Sequence, residues 1–324
     1  MPGSEANRLF VLGRAAELYY DQELSQEEVA RELKVSRPTV SRLLKEARQE
    51  GIVQIIVRTS IAFNNRLEEG LRRAFPFLRK AIVVATFEEV LQRDQAHIQR
   101  DVARAAAEHI NRVVTDGSII GVAWGSTMAQ VVQHLVPKQV SNTVVVQIKG
   151  SVSRVFRDTN AQEITRRFGH AYNAQVYYLP VPTVVDSVAV KQALLENRET
   201  TEVLDLGRRA NIAVYSIGVT EHDSVLFQTG YLTQEQIEAL KVRGVVGNII
   251  ARHFDINGAI CDPQLDERTI GLPLAEFAGK EHAIAIVIGR NKARSTLGAL
   301  RGGYLNELVI DQATAEEVLK LHEL

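Results

Sequence analysis

The sequence contains one cysteine and one tryptophan among its 324 residues, and it has no long hydrophobic run. A single thiol, Cys261, allows neither an intramolecular disulfide nor a cysteine-based zinc site. The eight histidines are scattered and show no HExxH spacing. Purely apolar runs such as residues 283–288 have the length of a strand, far below the roughly 20 residues of a membrane helix. The first ten residues contain no apolar signal core. We therefore expect a cytoplasmic protein with no membrane segment, no metal site and no cofactor.

Charge of either sign is not in excess, but it is unevenly distributed. The 38 Lys and Arg residues and the 39 Asp and Glu residues give a net charge of −1, which on its own does not indicate a nucleic-acid-binding protein. Residues 34–48, however, contain five basic residues and one acidic residue, a local charge of +4. The other residues then sum to −5. A small basic module within a larger acidic protein is the expected arrangement.

Three short helical patterns occupy the first sixty residues. Residues 8–20 carry apolar side chains at helical spacing. Ser25 begins a second, brief helix within a capping box, and Ser36 caps a third helix that has a proline in its first turn. A short apolar strand is predicted at residues 52–57. Two helices joined by a tight turn predict a helix-turn-helix DNA-binding domain over residues 1–58.

The third helix has an apolar face and an opposite face that is basic and polar. Such a helix fits the major groove, where cations contact phosphates and N-terminal side chains contact base edges. The residues predicted to bind DNA are Arg37, Pro38, Thr39, Ser41, Arg42 and Lys45. A solvated basic helix is the alternative, but the two serine caps and the tight turn together favour DNA binding. Lys34 occupies a turn position that favours glycine or asparagine, and a left-handed lysine there costs about 1 kcal/mol.

The remaining chain alternates short apolar strands with amphipathic helices, which predicts a mostly parallel sheet covered on both faces. Predicted strands lie at residues 81–85, 118–122, 143–148, 174–179, 212–217, 283–288 and 307–311. Predicted helices include residues 88–112, 127–136, 158–169, 233–242 and 313–322. The predicted fold class is α/β: a small N-terminal all-α helix-turn-helix domain, and a large Rossmann-like, mostly parallel α/β effector domain. Residues 59–80 are expected to form a linker, and residues 81–324 the domain for effector binding and oligomerisation.

Ligands of such sheets bind beyond the carboxyl ends of the strands, so the loops after the strands are the candidate site. The predicted ligand-binding residues are Trp124, Gly125, Ser126, Thr127, Lys149, Gly150, Gly218, Asp266 and Lys292. Ser126 and Thr127 at a helix start are a weak phosphate signal, since neither a P-loop nor GxGxxG is present. Lys149 is a salt-bridged rim lysine, a ligand-facing ammonium, or an amine of lowered pKa that forms an imine with an aldehyde sugar. Trp124 as a core residue and Asp266 as a turn cap are the simpler alternatives for those two positions.

These patterns resemble a known family over nearly the whole chain. LYYDQELSQEEVARELKVSRPTVSRLLKEARQEGIVQIIV resembles the DNA-binding domain of the SorC family of bacterial transcriptional regulators. Its sugar-binding domain is similar in GVAWGSTM, VVQIKGSVS, YSIGV, VVGNIIARHFD and GLPLAEF…GALRGGYLNELVIDQATA. Within the family, the IKG segment and residues 266–271 are most similar to the deoxyribonucleoside regulators. Two departures concern sugar preference: Gly247-Asn248 replaces a frequent Gly-Asp, and Lys149-Gly150-Ser151 replaces a frequent LKGG.

The resemblance implies a repressor of sugar or deoxyribonucleoside catabolism whose effector is a phosphorylated sugar, such as deoxyribose 5-phosphate. It implies that Gly125, Ser126 and Thr127 match the phosphate loop, that Lys149 matches the lysine of the LKGG-like segment, and that Lys292 matches a late lysine. The expected partners are double-stranded operator DNA, the sugar phosphate and further copies of the chain, as a dimer or tetramer. We expect no enzyme activity. The alternatives are a sugar-phosphate isomerase or imine-forming aldolase with a DNA-binding appendix, and a structural DNA-binding oligomer with a vestigial pocket.

Overall fold

The computed structural model divides into two compact units, residues 1–60 and residues 61–324. The residues that the structure describes are 3–53, 61–85, 95–151, 161–220 and 233–324. Residues 54–57 of the predicted strand at 52–57 lie outside them, so most of that strand prediction stays untested. No helix within the described ranges is both long and apolar enough to cross a membrane.

The N-terminal unit consists of three helices whose starts follow from local capping. The bounds are α1 Gly3–Ala16, continued by a π-helical turn Glu17–Asp21, α2 Gln26–Leu33 and α3 Arg37–Gln49. Ser25 accepts a hydrogen bond from the Glu28 N–H while the Glu28 carboxylate accepts one from the Ser25 N–H, which is the predicted capping box. Ser36 accepts from the Thr39 N–H and so caps α3. The apolar faces then pack together, burying Leu18, Val29, Val40 and Leu44.

The larger unit is built on seven parallel strands: β1 Lys80–Val84, β2 Ile119–Val122, β3 Val144–Gln147, β4 Gln175–Tyr177, β5 Ile212–Ser216, β8 His282–Val287 and β9 Glu307–Asp311. Their order across the sheet is β1-β9-β8-β5-β2-β3-β4. The chain runs from β2 outward to β4 and then returns to β5 on the other side of β2. The adjacent carboxyl ends of β2 and β5 therefore form a topological switch point, where open α/β sheets bind ligands.

Helices cover both faces of the sheet, as near-continuous apolar strands require. Their bounds are α4 Asn65–Ala74, α5 Gln95–Val113, α6 Ser126–Val131, α7 Ala161–Ala171, α8 Val188–Leu195, α9 Arg198–Arg209, α10 Gln234–Val242, α11 Pro263–Glu267, α12 Ala293–Arg301 and α13 Gln312–His322. Along β1, Ala81 and Val83 join a core with α4, α9, α12 and α13. Ile82 and Val84 join a second core with α5, α6 and α7. The predicted α/β class is thus confirmed.

Residues 61–80, for which a linker is predicted, pack with the larger unit instead. They contain α4, whose Leu71 is fully buried. Leu67 and Ala74 lie on the same stripe and pack against the same core. The apolar face of α4 has to be covered, and the sheet together with α13 covers it. The boundary between the two units in the sequence therefore lies between residues 60 and 61, and no long linker separates them.

A buried carboxylate joins two histidines at the amino end of the sheet. Glu307 begins β9 and is 4% exposed. Its carboxylate lies 2.5 Å from Nε2 of His109 on α5 and 2.6 Å from Nδ1 of His282 on β8. Burial by itself raises the pKa of Glu307, but these two hydrogen bonds outweigh burial and hold the pKa below its usual range.

Two short elements that the sequence did not predict lie at the opposite, carboxyl edge. β6 Gly247–Ile249 and β7 Arg252–Phe254 form an antiparallel hairpin.

Residues 269–272, here called the strap, lie beside the residues that follow the carboxyl end of β3. The Gly150 N–H donates to the Ile270 carbonyl at 3.2 Å, and the Leu272 N–H donates to the Ile148 carbonyl at 2.9 Å. The strap therefore fixes the backbone on both sides of Lys149.

Candidate functional site

The outward face of α3 carries the side chains predicted to bind DNA. Arg37, Pro38, Ser41, Arg42 and Lys45 are exposed, while Val40, Leu44 and Ala47 are buried on the other face. Thr39 is half-buried and shares a 2.8 Å hydrogen bond with the Ser36 hydroxyl. This places cations and hydroxyls on one accessible surface, as a groove-reading helix requires. The DNA contact of each residue stays a prediction.

The turn before α3 has the left-handed residue that the sequence predicts. Lys34 has φ 53° and ψ 43°, and its N–H donates to the carbonyls of Ala30 and Arg31 at the end of α2. Its side chain is exposed. The left-handed turn ends α2 and lets α3 begin at Arg37, three residues further on.

A cavity of about 170 Å³ lies at the switch point between β2 and β5. Loops that follow β2, β3, β5 and β8 supply its walls together with the β6 segment. Its lining residues are Ala123, Trp124, Gly125, Ser126, Thr127, Lys149, Ser216, Ile217, Gly218, Val219, Asn248, Ile250 and Lys292. The lining contains two lysines and, among the described residues, no carboxylate. The cavity therefore suits an anionic ligand that also carries hydroxyl groups.

Lys149 is the most strongly perturbed group of this cavity. It is 8% exposed, and its Nζ lies 3.7 Å from the centre of the Trp124 ring. Burial lowers the pKa of Lys149 to about 7, because the charged ammonium is desolvated. The ring face offers only partial compensation for that lost hydration. Lys149 therefore loses its proton at a much lower pH than a solvated lysine does.

Hydrogen bonds to the Lys149–Gly150 backbone keep this lysine in place. The buried Gln147 amide donates to the Lys149 carbonyl at 2.7 Å, and the Trp124 Nε1–H donates to the Gly150 carbonyl at 2.8 Å. The Thr183 hydroxyl donates to the same Gly150 carbonyl at 2.5 Å. A Cβ on Gly150 would lie 2.7 Å from the Pro182 carbonyl oxygen, so only glycine fits there.

Hydroxyls and a second lysine also line the cavity. Ser126 and Thr127 begin α6, where the first backbone N–H groups have no acceptor within the helix. Lys292 immediately precedes α12, and its carbonyl accepts from the hydroxyls of Ser295 and Thr296. These N–H and hydroxyl donors and the two lysines together offer a phosphate group hydrogen-bond donors and positive charge.

The β6 segment contributes residues that the sequence prediction missed. Asn248 lines the cavity, exchanges two backbone hydrogen bonds with Gly218 at 2.8 and 3.0 Å, and donates from its side-chain amide to the Val219 carbonyl at 3.4 Å. Ser216 also lines the cavity. It is the last residue of β5, but the predicted strand ended at residue 217, so only residues after 217 were considered as ligand-binding candidates. Asn248 follows no predicted strand, because β6 is only three residues long, and the only signal for it was the family resemblance at Gly247-Asn248.

Seven of the nine predicted ligand-binding residues line this one cavity: Trp124, Gly125, Ser126, Thr127, Lys149, Gly218 and Lys292. Gly150 does not line it and contributes backbone bonds behind Lys149. Asp266 does not line it either, since its carboxylate forms a 2.6 Å ion pair with Arg252. The ligand contacts of all nine residues stay predictions.

Comparisons with known proteins cover both units. A family model with the description "Putative sugar-binding domain" matches residues 59–320, and a model for region 4 of sigma-70 matches residues 17–50. The deoxyribonucleoside regulator of Bacillus subtilis is 38% identical over 305 residues, covering 94% of this chain and 96% of that protein. The sorbitol operon regulator of Klebsiella pneumoniae is 29% identical, covering 99% and 100%. The crystal structure of full-length SorC from K. pneumoniae superposes with a TM-score of 0.71 at 28% identity, covering 97% of this chain and 99% of that chain.

Proposed function

This chain belongs to the SorC family of transcriptional regulators, and from that premise we propose that a sugar phosphate in the switch-point cavity controls its binding to operator DNA. The cavity carries this proposal, since it joins Lys149, Lys292 and the start of α6 in a lining that lacks a carboxylate among the described residues. A phosphate dianion is stabilised by such a set, and a sugar hydroxyl can bond the Asn248 amide. The B. subtilis relative, named as a deoxyribonucleoside regulator, supports deoxyribose 5-phosphate as the first effector to test.

The test is a thermal-shift panel on the full chain. We expect deoxyribose 5-phosphate to raise Tm and unphosphorylated deoxyribose to leave it unchanged, because the phosphate carries most of the charge. A ligand at one hundred times its Kd stabilises the folded protein by about 2.7 kcal/mol. Lys292→Ala should weaken the shift, whereas Lys241→Ala, at an exposed lysine paired with Glu238 on α10, should not. If no sugar phosphate raises Tm, the proposal is wrong.

The proposed action is repression that the effector relieves. Effector must favour a conformation in which the α3 helices no longer match the spacing of the operator half-sites, and DNA must then weaken effector binding by the same factor. A hundredfold loss of operator affinity corresponds to a coupling of about 2.7 kcal/mol. Because a single helix-turn-helix reads one half-site, we propose that the protein acts as a homodimer or homotetramer. We also propose that it acts in the cytoplasm.

A covalent variant of the same proposal is favoured by the burial of Lys149. Its neutral amine can attack the aldehyde carbon of an open-chain sugar phosphate, and loss of water then gives an imine. Borohydride would reduce that imine to a stable secondary amine. Peptide mapping should then find the added mass on Lys149 and none in Lys149→Arg. Absence of any adduct would leave non-covalent binding only.

The enzyme alternative has little support. The relatives compared above are named as transcriptional regulators, not as isomerases or aldolases. A direct test is incubation of pure protein with deoxyribose 5-phosphate or glucosamine 6-phosphate and measurement of product. Turnover would overturn the assignment as a regulator without catalytic activity.

A further inference from the structure

Arg252 is a buried cation, and among the described residues its side chain bonds to groups outside the cavity. It lies on β7, and its side chain is 5% exposed. Its guanidinium donates to the carbonyls of Leu272 at 3.1 Å and Gly271 at 3.1 Å, and to the carbonyl of Asp266 at 3.2 Å. It also forms the 2.6 Å ion pair with the Asp266 carboxylate. Four acceptor oxygens thus surround the planar guanidinium and accept hydrogen bonds from its N–H groups. A lysine ammonium, with three donors on one atom, could not make the same set of bonds.

The carbonyls that Arg252 holds belong to the strap beside Lys149. Gly271 forms an antiparallel bridge with Lys149, and Leu272 donates its N–H to the Ile148 carbonyl at 2.9 Å. On its other edge the strap is fixed to Thr183, whose carbonyl accepts from the Ile270 N–H at 2.8 Å. A shift of the strap therefore moves the backbone that carries Lys149.

We propose that the Arg252–Asp266 pair is a positioning device, which holds the strap so that Lys149 stays buried over the Trp124 ring and faces the effector. Arg252 acts through the strap and does not touch the ligand. The pair also explains why Asp266, predicted to bind effector, is turned away from the cavity. The proposal rests on the proposed function, because it takes Lys149 as the effector-facing group.

The test measures the environment of Lys149 without any effector. Trace acetylation of the full-length protein across a pH series, read by peptide mass spectrometry, gives the pH at which Lys149 becomes reactive. In the wild type this midpoint should lie near 7. In Arg252→Met the strap loosens and Lys149 gains water, so the midpoint should rise by at least one unit, which lowers the neutral-amine fraction and hence the reactivity at pH 7 about fivefold. Asp266→Asn, which keeps the three carbonyl bonds, should give a smaller shift in the same direction.

Several other charged or titratable groups lie near this region. They are Lys191 on α8, His253 on β7, Asp262 and Asp266 at α11, and Lys292 before α12. Burial lowers the pKa of His253 to about 4, so this imidazole stays neutral through the range in which Lys149 titrates. His253 therefore does not produce the expected midpoint.

Lys280→Met is the matched control. Lys280 is also a buried lysine, but it donates to carbonyls at the end of α9 and precedes β8, at the opposite edge of the sheet. Its loss should lower Tm and leave the Lys149 midpoint unchanged. If the midpoint of folded Asp266→Asn and Arg252→Met matches that of Lys280→Met, the positioning role is wrong. Should Arg252→Met not fold, Asp266→Asn decides.

Sugar-phosphate binding to the same variants separates the two proposals. A shifted Lys149 midpoint together with weaker effector binding supports both. A shifted midpoint in a protein whose wild type binds no sugar phosphate keeps the positioning role and refutes the proposed function. If the Lys149 midpoint is unshifted in the variants and the wild type binds sugar phosphate, the positioning role is refuted and the proposed function is kept.

Discussion

Replacing Lys34 by glycine should stabilise the N-terminal unit, because this lysine holds a left-handed backbone with φ 53° and ψ 43°. In that conformation the Cβ crowds the following carbonyl, at a cost of about 1–2 kcal/mol. Glycine removes the Cβ but loses some of the gain through its more flexible unfolded chain, by about 0.5–1 kcal/mol. The Lys34 side chain is exposed, so its packing is not lost. The difference between these two ranges is about 0–1.5 kcal/mol in favour of glycine, and a gain in stability of about 1 kcal/mol is taken for the test below.

Hydrogen exchange on the full chain provides a local measure of this effect. Amides of α2 and α3 should exchange about fivefold more slowly in Lys34→Gly, since 1 kcal/mol corresponds to that factor in the opening equilibrium. Lys34→Ala is the matched control, because alanine removes the charge and keeps the Cβ. Equal protection in the glycine and alanine variants would refute the strain at this position.

The same pair of variants separates backbone strain from charge. Both lose one cation near the proposed DNA surface. If Lys34 contacts a phosphate, both should lower the slope of log K against log salt by about 0.9. Their operator affinities should therefore agree even though their stabilities differ. A salt slope unchanged from wild type would place Lys34 outside the DNA contact.

Three further predictions concern other parts of the molecule. Arg42→Ala should weaken operator binding by about 1–3 kcal/mol in a mobility-shift assay while sugar-phosphate binding is kept, and unchanged operator affinity would refute the proposed α3 surface. Glu307→Gln should destabilise the fold by about 2 kcal/mol in urea at neutral pH, because it weakens two buried hydrogen bonds to a carboxylate. Because the pKa of Glu307 is lowered, its stabilisation is complete above the unfolded carboxyl pKa and is lost as pH falls through the folded pKa, so the difference from wild type should shrink in acid. Gly150→Ala should displace Lys149 and weaken effector binding, whereas Gly279→Ala, which meets open space, should change neither binding nor stability.

Strands and caps could be predicted because their causes are local. Each of the seven predicted strands coincides with a strand of the sheet to within one or two residues at either end, and Ser25 and Ser36 cap the helices expected of them. Apolar runs flanked by turns carry this information within a few residues. By contrast α8 has six apolar residues among eight, none of them buried, so its sequence shows no amphipathic stripe to recognise.

The candidate site was predictable only where strand ends define it. Lys149 and Gly218 follow predicted strands, and the parallel topology brings them together. Asn248 reaches the cavity through a three-residue hairpin strand, and Asp266 leaves it because Arg252 comes from that same hairpin. Both positions depend on tertiary contacts that periodicity and strand ends do not encode, and for Asn248 only the family resemblance at Gly247-Asn248 gave a signal. The sequence rule therefore finds the edge of the sheet but not the partners that each side chain selects there.

Burial of Lys149 also gives the proposed switch a source of free energy. Lowering its pKa from 10.5 to about 7 corresponds to roughly 5 kcal/mol of disfavoured ammonium. An anionic effector beside Lys149 restores part of that loss, and the recovery contributes to the coupling by the amount that differs between the DNA-bound and the released conformation. The recovery exists only while the lysine stays buried when the cavity is empty. The Arg252–Asp266 pair would maintain that condition, so a residue that never touches the ligand would help set how strongly the ligand acts.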